Sequence, residues 1–448
     1  MTHFFSFTDA CSISADCQDS FVCNAGSCVR GSLFPLNIVD VIVTIVVCFL
    51  NSLGSAAGVA EAGLLTSYLV IFMNFGVKDS IACAYAIGLG GALGTYLNVV
   101  FIRDPETKRP VINYEINLTV IPMLMFGVYI GVNIQKASAN LLIIIILFLV
   151  LFFSLYKFSN NFMKQRRREK ITPIDGHLST SLNRDFTSHK PQPTAQDQDA
   201  QPNFTNASQI QQNLDTSPEQ RLFPWEKYRE VLLVILGIVA FGFLRGGQNR
   251  PSPIGIPYCG VAYWLALLVI LIFFLLLAWR FGSLVLRWQE ERQARGIPIA
   301  SNELVLNKAM IIQIGLLSAM AGCLGATIAI GGALILTPFF LAWGLPPRDT
   351  SYTCSFFVIM TMFNTTFQQV LFGGLQMQEV LWFGGIAFIL SFLSSRIVGS
   401  MIKKSGRQSI LLLLLLIICT VSVITESYVL ASEVSNNKEA LFAFHSEC

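Results

Sequence analysis

Two stretches of this chain resemble one another, and each is built to interrupt an apolar helix. The first runs Asn51-Ser-Leu-Gly54-Ser55-Ala-Ala-Gly58-Val-Ala-Glu61-Ala-Gly63-Leu-Leu-Thr66, and its apolar run ends at Gly76-Val-Lys78-Asp79-Ser80. The second runs Gly322-Cys-Leu-Gly325-Ala-Thr327-Ile-Ala-Ile-Gly331-Gly332-Ala-Leu-Ile-Leu-Thr337-Pro338 and ends at Gly344-Leu-Pro346-Pro347-Arg348-Asp349-Thr350. Glycine weakens a helix interior by about 1 kcal/mol relative to alanine, and proline by about 3. In hydrocarbon, backbone groups freed this way are tolerated only where protein or a water-filled cavity covers them. Paired breaks in matching positions of two halves point to a transporter's binding site.

The surrounding composition makes hydrocarbon the expected solvent. Of 448 residues, 53% are hydrophobic and only 13% charged, against about 25% charged in soluble domains. A span needs roughly 20 apolar residues, and about ten to twelve such runs can be counted. They lie near 36–53, 58–75, 80–101, 117–134, 140–157, 230–246, 258–280, 308–325, 327–343, 351–373, 378–399 and 409–430. The fold class is therefore all-α and polytopic, with two membrane repeats (36–157 and 308–430) joined by linking helices in 230–280. The short glycine-rich runs are expected to be broken or re-entrant. A net charge of +3 gives no reason to expect nucleic acid as a partner. The expected partners are the lipid bilayer, a small anion and protons.

Loop charge gives an orientation. Basic residues gather after the third, fifth, seventh and eleventh runs, for example Lys164, Arg166, Arg167 and Arg168. These loops share one side, cytoplasmic by the positive-inside rule; Arg245 and Arg250 dissent. The tail 1–35 then faces outside or a lumen, and its Cys11, Cys17, Cys23 and Cys28 are disulfide candidates with three possible pairings. The tail has no Cys-x-x-Cys and no His within the cluster, which argues against zinc. The tail lacks the basic region and long apolar core of a secretory signal, so the first span is expected to act as an uncleaved anchor. Cys48, Cys83, Cys259, Cys323, Cys354 and Cys419 lie in or beside apolar runs and are read as packing residues.

Residues 158–229 are polar and rich in Gln, Asn, Thr and Pro, too poor in aliphatics to offset the entropy of ordering, and are read as a disordered cytoplasmic loop. The sequons at Asn203 and Asn206 would stay bare there. A second cytoplasmic loop, 281–307, and a carboxy-terminal tail, 431–448, complete the division.

The two broken segments are seven runs apart. An odd offset makes the copies run through the bilayer in opposite directions, giving a five-plus-five inverted repeat. Two half-helix amino termini would then aim freed amides and dipoles at the midplane, which suits an anion. Gly58, Gly63, Gly331, Gly332 and Pro338 are expected to shape the site. Ser55, Thr66, Thr327, Thr337, Ser351 and Ser355 are the candidate hydrogen-bond donors. Close helix packing through small residues is the alternative role for the glycines. Glu61 is the carboxylate most out of place, since a charge at mid-bilayer costs several kcal/mol unless paired, hydrated or protonated. It is expected to couple proton movement to transport; an interfacial Glu facing water is the alternative.

Signals of catalysis are poor. All four histidines (His3, His177, His189 and His445) fall outside the runs, and no nucleophile elbow, P-loop or dinucleotide fingerprint occurs. No cofactor or metal is expected.

The second segment, with Gly325, Gly331-Gly332, Pro338, Gly344 and Pro346-Pro347 followed by Thr350-Ser351-Tyr-Thr-Cys-Ser355, resembles the TauE/SafE sulfite-exporter family, within the wider group of toluenesulfonate uptake permeases. The first segment, with Gly54, Gly58, Gly63, Gly76 and Lys78-Asp79-Ser80, is similar to the family's other repeat, although its glycine cluster has become Ala-Ala-Gly-Val-Ala-Glu-Ala-Gly. The Cys-rich tail and long middle loop look like eukaryotic additions. The resemblance implies a secondary carrier of sulfite, sulfonates or related organosulfur anions in the plasma membrane or an endomembrane. An anion channel and a non-transporting receptor or adaptor are the alternatives.

Overall fold

The computed structural model describes residues 21–24, 27–30, 36–59, 62–73, 75–103, 109–171, 224–248, 250–294, 304–328, 330–405 and 409–436. Among them are twelve helices. The first repeat holds α1 (Ile38–Ala56), α2 (Ala62–Met73), α3 (Val77–Val99), α4 (Tyr114–Ala137) and α5 (Asn140–Ile171). The linkers are α6 (Trp225–Arg245) and α7 (Val261–Ala294). The second repeat holds α8 (Lys308–Thr327), α9 (Ala333–Ala342), α10 (Pro347–Phe372), α11 (Met377–Ser405) and α12 (Ser409–Asn436). Eight are long and apolar enough to cross a membrane, and α2 and α9 supply shorter apolar segments, Leu64–Met73 and Ala333–Ala342. The membrane part is all-α. Among the described residues, strands occur only in the tail, where Phe21–Asn24 pairs antiparallel with Ser27–Arg30 and sets Cys23 opposite Cys28 in register.

Burial separates an inner set of helices from a lipid-facing set. The apolar windows of α3 and α4 are 78% and 83% buried, those of α7 and α11 only 28% and 22%. Helix α10 carries many hydroxyls and amides, and it is enclosed for most of its length from Thr350 to Phe372. A polar helix is tolerated inside a bilayer when protein shields it in this way.

Glycine faces set the closest packings and reveal the strand-like directions of the helices. On α3, a Cβ added at Gly90 or Gly94 would strike the carbonyls of Gly384 or Phe388 on α11. One turn on, the Asn98 amide donates to the Phe392 carbonyl at 2.7 Å. The contacts advance together, so α3 and α11 run parallel. Helix α1 joins them in the same sense. Trp382 Nε1 donates to Thr44 Oγ1 at 3.4 Å, and further along Gly91 sits among Asn51, Ser55 and Ser391. Likewise Gly127 and Gly131 of α4 lie on the carbonyls of Ala319 and Cys323, so α4 and α8 run parallel.

Helices α3 and α4 are opposed. Lys78 at the start of α3 donates to the Lys136 carbonyl at the end of α4, 2.6 Å away. At the other end, Tyr96 and Tyr114 both hydrogen-bond the Tyr228 hydroxyl. Hence α1, which runs with α3, is antiparallel to α8, which runs with α4. The inverted repeat expected from the odd offset is present in the packing.

The linkers are fastened at both faces. Glu115 at the start of α4 pairs with Lys227 at 3.1 Å and with Arg292; Glu230 pairs with Arg280 at 2.6 Å. On the opposite face Arg245 explains its own dissent from the charge rule. It is buried, donates to Asn133 Oδ1 at 2.8 Å and lies 4.0 Å over the Tyr263 ring. It is a packing residue rather than a loop charge.

Three sequence-based readings change in the structure, the first being the loop 281–307, half of which is helix because α7 runs on to Ala294. Helix α5 continues past residue 157 through the basic stretch to Ile171, and Glu169 there accepts from the Ser409 amide at 2.9 Å. Cys259 is disulfide-bonded, not a packing thiol. It stands in the loop before α7 with a left-handed φ of 64°. Cys48, Cys83, Cys323 and Cys354 are free thiols. Cys11, Cys17, Asn203, Asn206 and the four histidines lie outside the described residues, as do the side chains of Cys23 and Cys28.

Candidate functional site

The first break is a tight turn seated on the start of α10. The amides of Ala57 and Val59 both return to the Gly54 carbonyl at 3.0 Å, and that of Gly58 to Ser55 at 2.9 Å. Gly58 takes φ +82°, and a Cβ there would strike the backbone of Ser351. Only glycine meets both demands without strain. Beneath it, the Ser351 and Thr350 hydroxyls are buried with no hydrogen-bond partner. Ser80, their counterpart on α3, is likewise buried and unpartnered. Glu61 lies outside the described residues. Gly63 opens α2, and Thr66 is buried on that helix. Next to it, the Ser67 hydroxyl donates to Glu426 Oε1 of α12 at 2.6 Å.

The second break is built differently. Tyr85 of α3 donates to the Ala326 carbonyl at the end of α8. The Thr327 hydroxyl is committed to the carbonyls of Cys323 at 2.8 Å and Gly131 at 3.2 Å. Gly331 accepts from Leu334 at 3.1 Å as α9 starts, and Gly332 packs on Leu124. Pro338 is buried inside α9, and Thr337 faces the Cys354 thiol at 3.5 Å.

Helix α10 joins the two breaks. Ser351 lies under Gly58, and Cys354, one turn on, meets Thr337 of α9. Ser355 gives its hydroxyl to the Ser351 carbonyl at 3.0 Å. Of the expected donors, Ser55 and Ser351 are thus available, while Thr327, Thr337 and Ser355 are engaged locally. The first turn of α10 also carries the positive end of its dipole. Lys78 is anchored on Lys136, and Arg348 lies 5.7 Å from the Tyr352 ring centroid. Among the described residues no three His, Cys, Asp or Glu side chains converge as metal ligands.

Sequence reasoning missed Tyr85, Ser391 and Glu426. The first two are ordinary residues in apolar runs, and only packing gives them a role. Glu426 was visible as a lone carboxylate in the last run, where the cost of burial makes any such residue notable.

Inverted repeats, each with a glycine-broken helix pair beside a shared polar helix, define the class: a multi-pass membrane protein built like a secondary transporter. The chain is 25% identical over 370 residues to the sulfite exporter TauE/SafE family protein 5 of Arabidopsis thaliana, covering 82% of this chain and 78% of that protein. Family protein 2 of the same plant is 26% identical over 385 residues, 84% of this chain and 79% of the relative. Family protein 1 is 24% identical over 403 residues, 88% and 84%. No family model and no solved structure matches the chain. Over most of its length the chain is thus similar to plant proteins named for the TauE/SafE sulfite-exporter family.

Proposed function

We propose that the chain is a secondary carrier of a small oxyanion, sulfite or a sulfonate, working by alternating access between its two inverted repeats. The observation that carries this reading is the pair of unpartnered hydroxyls, Thr350 and Ser351, in the first turns of α10 beneath the Gly58 break. Hydroxyls donate to an oxyanion without adding a fixed charge, and a helix start attracts one. The names of the plant relatives support the substrate class. Gly331, Gly332 and Pro338 shape the opposing side, and the two breaks rock against α3 and α10. Glu61 in the first break supplies the proton-coupled step.

The same reading sets the amino-terminal tail on the outer or lumenal face. Helix α1 starts on the face where α6 ends, and the α6–α7 loop there holds disulfide-bonded Cys259, which fits an oxidising compartment.

The test is flux into proteoliposomes for sulfite, several sulfonates and sulfate, with and without a pH gradient. Saturable flux of one oxyanion class, lost in Ser351→Ala and made insensitive to pH in Glu61→Gln, is expected. Absence of flux for every anion would refute the proposal.

A further inference from the structure

We infer that the groove between α1, α11 and α12 holds one acyl chain of an anionic phospholipid, with Lys404 at its headgroup. Helices α11 and α12 follow one another in the chain yet scarcely touch. Each packs on other partners instead, α11 on α1 and α3, α12 on α2 and α5. The gap between them is a groove of about 470 Å³. It is bounded by Phe49 of α1, by Leu390, Ile397 and Met401 of α11, and by Leu413 and Ile417 of α12. Ser394 is the one polar residue in its lining. Ile397, Met401 and Ile417 are each more than half exposed, so the groove is open to its surroundings. Apolar walls with nothing between them forfeit dispersion contacts, and in a bilayer hydrocarbon is at hand to restore them.

The size of the groove selects its occupant. From Leu390 to Met401 it runs about 16 Å at the rise of a helix, the depth of one leaflet in a hydrocarbon core of roughly 30 Å. Spread over that length, its volume leaves a cross-section of roughly 30 Å². A helix with its side chains, about 10 Å across, needs roughly 80 Å² and the full depth of the core. A single extended hydrocarbon chain fits this groove, whereas a spanning helix of a second copy does not.

The charge at the mouth selects the headgroup. Ile397, Met401 and Lys404 recur at helical spacing, so Lys404 continues the groove wall by one turn. It is exposed and lies beyond Met401, on the side where α11 ends and α12 begins. A lysine there keeps its stem along apolar surface and its ammonium in the polar zone, where it attracts an anionic head. The lipid site does not rest on the proposed transport function; it would be filled in a carrier and in a channel alike.

The experiment places the purified full chain in phosphatidylcholine vesicles with a trace of photoactivatable phospholipid. The probe carries a diazirine on its acyl chain and either a phosphatidylserine or a phosphatidylcholine head, and labelled peptides are located by mass spectrometry. Labelling of the groove walls on α11 and α12 is expected to be about fivefold stronger with the serine head, the gain that one lysine gives near a membrane surface. The exposed stretch of α7 around Leu268 and Ile272 should label equally with both. Lys404→Glu should abolish the preference. Leu413→Trp, at the exposed rim of the groove, should lower groove labelling by either lipid while Tm stays near that of the parent. Groove labelling no stronger than that of α7 with the serine head would overturn the site. A preference that survives Lys404→Glu would overturn the headgroup assignment. A groove left unlabelled while α7 labels would overturn the inference in favour of a second copy covering this face.

Discussion

At the scale of single residues, two buried carboxyl groups carry distinct duties. Glu115 holds Lys227 and Arg292 together where α4, α6 and α7 meet. Removing one member of a buried ion cluster leaves its partners uncompensated and typically costs about 3–5 kcal/mol. Glu115→Leu should therefore lower the unfolding midpoint sharply, whereas Glu115→Gln should recover part of the loss. Glu426 instead reaches across from α12 to Ser67 on α2, the half-helix that follows the first break. Glu426→Leu is expected to reduce flux by more than its effect on Tm accounts for, because α2 loses its hydrogen bond to α12 while keeping its apolar packing. Equal, proportionate losses of flux and stability would reduce that contact to ordinary packing. At this scale the sequence was only partly legible. Gly58 and Ser351 were identifiable from their pattern, but their meeting across nearly three hundred positions was not. Hydroxyls look alike in sequence; those of Thr327 and Ser355 turn back on their own helices, and that of Ser351 does not.

At the scale of elements, the inverted copies use one device twice. Gly90 and Gly94 let α3 touch α11, and Gly127 and Gly131 let α4 touch α8. Each would place a Cβ against a neighbouring backbone, which cannot yield as a side chain end would. Gly90→Leu and Gly127→Leu should destabilise the fold by comparable amounts, at least the 1–3 kcal/mol or so of an overpacked core; thermal unfolding of both variants checks this. Gly385→Ala, inside α11 with nothing close by, should instead raise Tm slightly, because alanine favours a helix interior by up to about 1 kcal/mol. The close-packing role weighed for glycine was thus real, but it falls mainly on glycines outside the two opening segments. The apolar runs located the elements well because hydrocarbon burial demands length and hydropathy, which composition reports directly. Their ends were less legible. Helix α5 runs on to Ile171 because a helix leaving the membrane needs no apolar residues, only contacts such as that of Glu169 with Ser409.

At the scale of the whole molecule, the odd offset of seven runs already required inversion, and the parallel pairs α3–α11 and α4–α8 supply it. What the sequence left open was which breaks are equivalent in chemistry. They are not: the first faces the unpartnered Thr350 and Ser351 hydroxyls, while the second is closed by Tyr85, Leu124 and local hydrogen bonds. The proposed oxyanion site therefore draws on both repeats, with the Gly58 turn from the first and the Thr350 and Ser351 hydroxyls from the second, as a carrier would require. The direct measurement of that claim is accumulation of labelled sulfite in proteoliposomes against its own gradient, recorded together with membrane current. Uphill, saturable accumulation that stops in Gly58→Leu is the expected result. Flux that only ever runs down the gradient, with a current proportional to voltage, would contradict it and define an anion channel instead.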